Sequence, residues 1–393
     1  MAHPFSGAGR PKYELAAIVR AHGDELKCST SLRPEQARAL KAIELCRTAA
    51  LGGHLDRCVD CGFERPAYNS CRNRHCPKCQ GLAQEQWISA RTERVLPIGH
   101  FHIVFTLPSE LYPLVAFRRE SMLGVLMRTA AETLSELGRS KLSVRLGITE
   151  VLHTWNRELG FHPHVHCVVT AGGLTLDDSS LISKEKFLFP VKVLGALFRG
   201  KMMAAIRRLH RDHTFAGFDD FRDPLGFDAL MQRVAKHAWV VYSKAPFASS
   251  RHVFEYLGRY THRVGIANSR LLAFEDGKVT FATKNGATKT LAGVDFLRRF
   301  VAHVLPPGFV KIRHYALYAG VNVHTRLSRA HLLLRPADVA PSAPRPPASY
   351  IEQLLALIGR DVRRCRQCGG EVLAKGLLAS VVTRPANAAR APP

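Results

Sequence analysis

From Phe101 to Leu107 every second side chain is a large apolar one, Phe101, Ile103, Phe105 and Leu107, and the pattern stops at Pro108. Successive side chains of a strand point to opposite faces, so this pattern predicts a strand with one face in a core. Elsewhere the period is helical. Pro34 opens a helix over residues 32–49 with Leu40, Ile43, Leu45 and Cys46 available to a core stripe, and amphipathic helices are predicted near 118–138, 190–212 and 294–304. Between Arg270 and Leu291, three short strand-like pieces break at Asp276-Gly277 and Asn285-Gly286, dipeptides favoured in tight hairpin turns, and together they read as a meander. Five prolines between Pro336 and Pro347 predict an extended linker. A short helix is predicted from the capping Ser249-Ser250 to Gly265; Val253, Tyr256, Leu257 and Tyr260 fall at i, i+3, i+4 and i+7, so both tyrosines share a face. A plain core stripe has the same spacing.

The stretch Phe161-His162-Pro163-His164-Val165-His166-Cys167-Val168-Val169 carries the first chemistry. On a strand His164 and His166 share one face, with His162 beside them, while Val165, Cys167 and Val169 lie on the other. Two neutral imidazoles aimed at one spot suit a divalent ion, and three at strand spacing favour metal binding over surface histidines. Pro163 has no donor N–H, which predicts that this end lies at a sheet edge or just before regular pairing begins.

Cysteines carry the second. Cys58-x2-Cys61, fourteen residues, then Cys76-x2-Cys79 is a four-thiolate zinc pattern, with Cys71 and His75 as extra candidate ligands between the pairs, so that a permuted ligand set or a second ion are the alternatives. Arg72, Arg74 and Lys78 stand among these ligands, where cations on a zinc-held loop suit contact with phosphates. A further pair, Cys365-x2-Cys368, follows the proline-rich stretch and offers only two ligands by itself.

Composition points the same way. The 393 residues include 46% apolar ones, enough for a sizeable core in two or three domains, and Lys and Arg outnumber Asp and Glu 56 to 32, giving +24 and a pI near 10.1. Such a balance favours a polyanionic partner, with nucleic acid first among candidates. No run of about twenty apolar residues and no apolar signal core appear, so the expectation is a soluble cytoplasmic protein without membrane contact. Cysteines in close pairs suit metal in a reducing compartment better than a secreted disulfide framework.

Taken in order, Cys71-Arg72-Asn73-Arg74-His75-Cys76-Pro77-Lys78-Cys79, then His162-Pro163-His164-Val165-His166, then Tyr256-Leu257-Gly258-Arg259-Tyr260-Thr261-His262-Arg263, the motifs resemble the rolling-circle transposases of the two-tyrosine HUH group, of the insertion sequence ninety-one type, across residues 35–330. The resemblance implies an α+β fold: a central antiparallel sheet flanked by helices, with the paired histidines on a middle strand and a small zinc-binding domain before it. It also implies cleavage of single-stranded or locally melted DNA at element ends by Tyr256 or Tyr260, a 5′-phosphotyrosine link, and rejoining to a target. A phenol with pKa near 10 needs a nearby cation to attack at neutral pH, which Mg2+ or Mn2+ at His164 and His166 would supply, with structural Zn2+ at the cysteines. His162, His153 and His102 all remain open as a third ligand. Arg259 and Arg263 are placed to hold the strand. The expected division is an N-terminal helical and zinc-binding domain at 1–95, the nuclease at 96–334 and a linker and tail at 335–393. A plasmid relaxase or replication initiator with the same chemistry, or a zinc-ribbon DNA-binding protein without catalysis, are the competing readings.

Overall fold

A computed structural model describes residues 11–79, 81, 84, 86–88, 91, 94–184, 188–237, 239–247, 265–334 and 349–382. The first elements are helices α1 (Leu15–Ser29) and α2 (Pro34–Leu45). α2 is shorter than its apolar stripe because Cys46 already has extended dihedrals (φ −61°, ψ 122°) and turns its thiol toward the cysteines that follow. Next come strands β1 (Gly53–Cys58) and β2 (Glu64–Tyr68), then the alternating strand β3 (His100–Thr106). Helices α3 (Tyr112–Phe117) and α4 (Arg119–Leu142) lead into the long hairpin of β4 (Val144–Trp155) and β5 (Phe161–Thr175), with a short β6 (Leu181–Ser183) after it. Helices α5 (Val191–Arg211) and α6 (Gly226–Lys236) precede β7 (Val241–Phe247). The chain continues through β8 (Leu271–Glu275), β9 (Lys278–Ala282), β10 (Thr288–Ala292), helix α7 (Gly293–Val301), β11 (Ile312–Ala316) and finally β12 (Val372–Leu378).

The central sheet has the strand order β11-β4-β5-β3-β7, with β6 added to β5, and all its pairings are antiparallel. This is the α+β arrangement expected, with the histidine strand β5 in the middle. Phe101, Ile103, Phe105, Val165, Cys167 and Val169 all enter one core with α4 and α5, so each strand turns the face to the helices that its alternation requires. Burying one such aliphatic or aromatic side chain stabilises by about 2–3 kcal/mol, which fixes the register and with it the direction of the histidines.

Pro163 departs from expectation. Pairing has already begun at Trp155–Phe161, ahead of the proline, and a register shift between His153 and Trp155 accommodates it. A bulge tolerates the missing N–H in the middle of a sheet, so no edge is needed.

The meander forms as its turn dipeptides require: β8, β9 and β10 make an antiparallel sheet, and Asp276, Gly277, Asn285 and Gly286 all take positive φ. Its inner residues Val279 and Phe281 share a core with Leu15, Ile18, Leu26, Leu40 and Ile43 of the N-terminal helices and with Phe296, Leu297 and Phe300 of α7. α1 has no counterpart in the sequence reading. A third sheet, β12-β1-β2, joins the end of the chain to its cysteine-rich beginning. Among the described residues no helix is long and apolar enough to cross a membrane. The proline-rich stretch and the tyrosine segment, residues 335–348 and 248–264, lie outside the described residues.

Candidate metal centres on a histidine-bearing sheet

Away from α4 and α5, the sheet turns His164 and His166 toward a common point, and β4 adds His153, the register partner of His164. One ring nitrogen from each of the three lies within 4.8 Å of the others. Of the third-ligand candidates, His153 is the one the hairpin brings in. His162 is not among the converging rings, and its Nδ1 lies 2.6 Å from the Tyr112 hydroxyl. His102, on β3, stands behind His166, with its Nε2 2.8 Å from His166 Nδ1 and the two rings stacked at 5.0 Å.

These partners determine which nitrogens are available. His164 Nδ1 is 2.7 Å from the His162 carbonyl, which can only accept, so Nδ1 carries the proton and the Nε2 lone pair is left facing inward. When His166 donates from Nδ1 to His102, its Nε2 lone pair faces the same spot, 3.1 Å from that of His164. Burial holds His164 down at about 4 and His166 well below the usual imidazole range, so both rings are neutral ligands at physiological pH. Two facing lone pairs at that distance repel unless a cation lies between them or one ring changes tautomer. The donor set therefore fits a divalent ion that accepts imidazole nitrogen.

The cysteines form two clusters, where the sequence favoured a single four-thiolate site and left a permuted set or a second ion as alternatives. Cys46 at the end of α2 joins Cys71, Cys76 and Cys79; Cys58 and Cys61 meet Cys365 and Cys368. The expected grouping of Cys58 and Cys61 with Cys76 and Cys79 is thereby corrected: β1 carries the first pair away to β12, and α2 delivers Cys46 to the second. In the first cluster the Cys46–Cys79 and Cys71–Cys79 sulfurs are 3.5 and 3.6 Å apart. A tetrahedral zinc with bonds near 2.3 Å requires an edge of about 3.8 Å, so the fit is close. Cys71, an extra candidate in the sequence, is a full member. His75 is not, because its Nδ1 bonds the Asn73 Oδ1 at 3.1 Å and its Nε2 accepts from the Leu305 N–H at 3.2 Å.

The cations among these ligands divide. Arg72 is exposed. Lys78 is paired with Glu14 at 2.6 Å. Arg74 is turned inward and donates to the carbonyls of Phe309 at 2.5 Å and Pro306 at 2.7 Å, so it fastens the zinc segment to the loop before β11 instead of reaching a phosphate. Tyr256, Tyr260, Arg259 and Arg263 lie outside the described residues. Sequence reasoning took Cys46, which has no neighbouring cysteine, for a core-stripe residue and did not mark Tyr112, whose partner lies on a strand.

A family model described as "Putative transposase" matches residues 147–326, which contain the histidine hairpin, and one described as "Transposase zinc-binding domain" matches residues 18–107, which contain the first cysteine cluster. A curated protein of Sinorhizobium fredii bearing the former description is 39% identical over 368 residues, covering 90% of this chain and 92% of its own length. The transposase for insertion sequence element IS801 of Pseudomonas savastanoi pv. phaseolicola is 27% identical over 371 residues, covering 91% and 87%. No solved structure matches the chain.

Proposed function

This chain belongs to the transposase family of the insertion sequence ninety-one type, and from that premise we propose that it nicks single-stranded DNA at element ends through Tyr256 and Tyr260 and rejoins the strand to a target. In each transfer the phenol loses its proton, its oxygen bonds the phosphorus, and the P–O3′ bond breaks. The 5′ phosphate stays on tyrosine and the departing 3′ oxygen takes up a proton. Reversal by an incoming 3′ hydroxyl reseals the strand.

The observation that carries this reading is the convergence of His153, His164 and His166 on one face of the middle strands, with both β5 rings held in the ligand-ready orientation from behind. A divalent ion bound there supplies Lewis-acid polarisation of the scissile phosphate and stabilises the charge that develops on it. His164 and His166 would hold it with His153 as third ligand. His102 and the His162 carbonyl orient the rings.

The described residues on either side of the tyrosine segment flank the histidine strand. Phe247, just before their segment, pairs with His100, itself opposite Thr170 toward one end of β5. Gly265, just after it, lies so close to Leu159 that an added Cβ would come within 3.5 Å of that side chain, beside the other end of β5. Residues 248–264 thus connect two points that straddle the histidines. The net charge of +24 adds a general attraction to the DNA backbone.

A labelled single-stranded oligonucleotide carrying an element end tests the reading. With Mn2+ present, the wild-type chain is expected to nick it, whereas the His164→Ala, His166→Ala double variant stays folded, still binds and does not cut. Undiminished nicking by the double variant, or its failure to fold, would assign the histidines to structure.

A further inference from the structure

We propose that Cys58, Cys61, Cys365 and Cys368 bind a second structural zinc ion, which fastens the end of the chain to its cysteine-rich beginning. The proposal does not depend on the tyrosine chemistry. Four sulfurs from segments some three hundred residues apart in sequence lie within 4.8 Å of one another. The two contacts between segments are Cys58 to Cys368 at 3.4 Å and Cys61 to Cys365 at 3.7 Å. A disulfide would need about 2.05 Å. The edge of a tetrahedral zinc tetrathiolate is about 3.8 Å, which these spacings approach.

Both pairs sit on the same kind of turn. Gly62 N–H donates to the Cys58 carbonyl at 3.2 Å and Cys58 N–H to the Phe63 carbonyl at 2.9 Å; Gly369 N–H donates to the Cys365 carbonyl at 3.1 Å and Cys365 N–H to the Gly370 carbonyl at 2.8 Å. Each turn closes on a glycine with positive φ, 71° at Gly62 and 77° at Gly369, a conformation in which a side chain would be strained. Backbone N–H groups of Gln367 and Gly370 point at the Cys365 and Cys368 sulfurs, both at 3.4 Å, where they offset thiolate charge. Two matched turns facing each other are a built site.

The surrounding chain holds them in place. β12 pairs antiparallel with β1 from Gly53–Leu378 to Cys58–Val372, so the register ends at the ligand itself. Lys375 Nζ reaches Glu64 at 2.6 Å, and Arg65 donates to the Val362 carbonyl at 3.1 Å. The turns approach so closely that a Cβ added to Gly370 would fall 1.9 Å from the Asp60 carboxylate. Yet β12 buries little: Leu373 and Leu377 are exposed. A strand with so small a core needs another anchor, and a metal supplies it. A soft, all-sulfur donor set of four thiolates suits zinc.

Elemental analysis and cobalt exchange of the full chain test this. As purified, the chain should carry two thiolate-bound zinc ions. After exchange to Co2+, the Cys365→Ser, Cys368→Ser variant should lose about half of the cobalt–thiolate absorbance, whereas His164→Ala with His166→Ala should leave it unchanged. A measurement on the wild type covers the case in which the cysteine variant does not fold. Exposed Cys28 belongs to neither cluster, so in alkylation mapping it should label at once, while Cys58, Cys61, Cys365 and Cys368 resist until a chelator releases all four together. Labelling of Cys365 and Cys368 at the rate of Cys28, a single thiolate-bound ion, iron in place of zinc, or a disulfide between the segments would overturn the proposal.

Discussion

In the proposed metal site His166 would use its two nitrogens differently, one toward the metal and one toward His102, which would make His102 a positioning residue. His102→Ala should lower Mn2+ affinity or nicking roughly 10- to 100-fold, with much of the loss recovered at high Mn2+, because an outer partner orients a ligand without being one. A metal titration of nicking activity checks this; a loss that no Mn2+ concentration relieves would place His102 in the chemistry itself. Lys311 presents a separate residue-scale effect. It is buried, its Nζ has no hydrogen-bond partner among the described residues, and burial with help from Arg74 pushes its pKa down to about 7. The unfolded chain then binds the proton more tightly between pH 7 and the ordinary lysine pKa, so this residue's contribution to stability rises with pH across that window and its cost is greatest below it. Lys311→Met should stabilise the protein at pH 6 by on the order of 2 kcal/mol, with a smaller gain at pH 9, as thermal melts at the two values would show. How far such residues were legible depends on how local their signal is. Alternation alone assigned His164 and His166 to one face and Val165, Cys167 and Val169 to the other, because strand period is a property of neighbours. His153 was left as one candidate among three, since choosing it needs the register of β4 on β5, which a bulge beside Pro163 shifts.

At the scale of elements, the Cys-x2-Cys turns were legible and their partners were not. A turn presents two sulfurs by local geometry, but which second turn completes the tetrahedron depends on where the strands and helices carry it. β1 takes Cys58 and Cys61 to β12, and the end of α2 brings Cys46 to Cys71, Cys76 and Cys79. Replacing Cys46 with Ser should therefore lower zinc content as much as Cys76→Ser does, each removing one ion per chain by elemental analysis. His75→Ala should leave zinc unchanged while costing about 1–3 kcal/mol, because the buried Leu305 N–H loses its acceptor. A fall in zinc for the His75 variant would return it to the ligand set. The meander and the helices near 118–138, 190–212 and 294–304 were readable because their apolar period is sustained. α1 was missed although Leu15, Ile18, Val19 and Leu26 are buried: the helix lacks the N-terminal proline that marked α2, and Glu14 gives it no side-chain cap.

Across the whole molecule, the N-terminal helices share a core with the meander and α7, and two arginines brace the segment after α7, Arg74 at Phe309 and Pro306 and Arg119 at the Ala302 carbonyl. The first zinc cluster and the histidine sheet are thus coupled through packed chain, and the loop that Arg74 and His75 grip leads directly into β11, which pairs with β4 of the histidine hairpin. That coupling was invisible in the sequence, where a run of basic residues beside zinc ligands reads as a DNA-facing surface and nothing distinguishes Arg74 from Arg72. Membership in a transposase family establishes the DNA-rearranging role; the tyrosine route is the claim to be tested. The most direct measurement is capture of the covalent protein–DNA species on a 3′-labelled suicide oligonucleotide, with the attached residue mapped by mass spectrometry. The wild type should carry the 5′ phosphate of the cleaved strand on Tyr256 or Tyr260, and Tyr256→Phe combined with Tyr260→Phe should give no adduct while retaining DNA binding. An adduct that persists in the double variant, or one mapped to any other residue, would contradict the account.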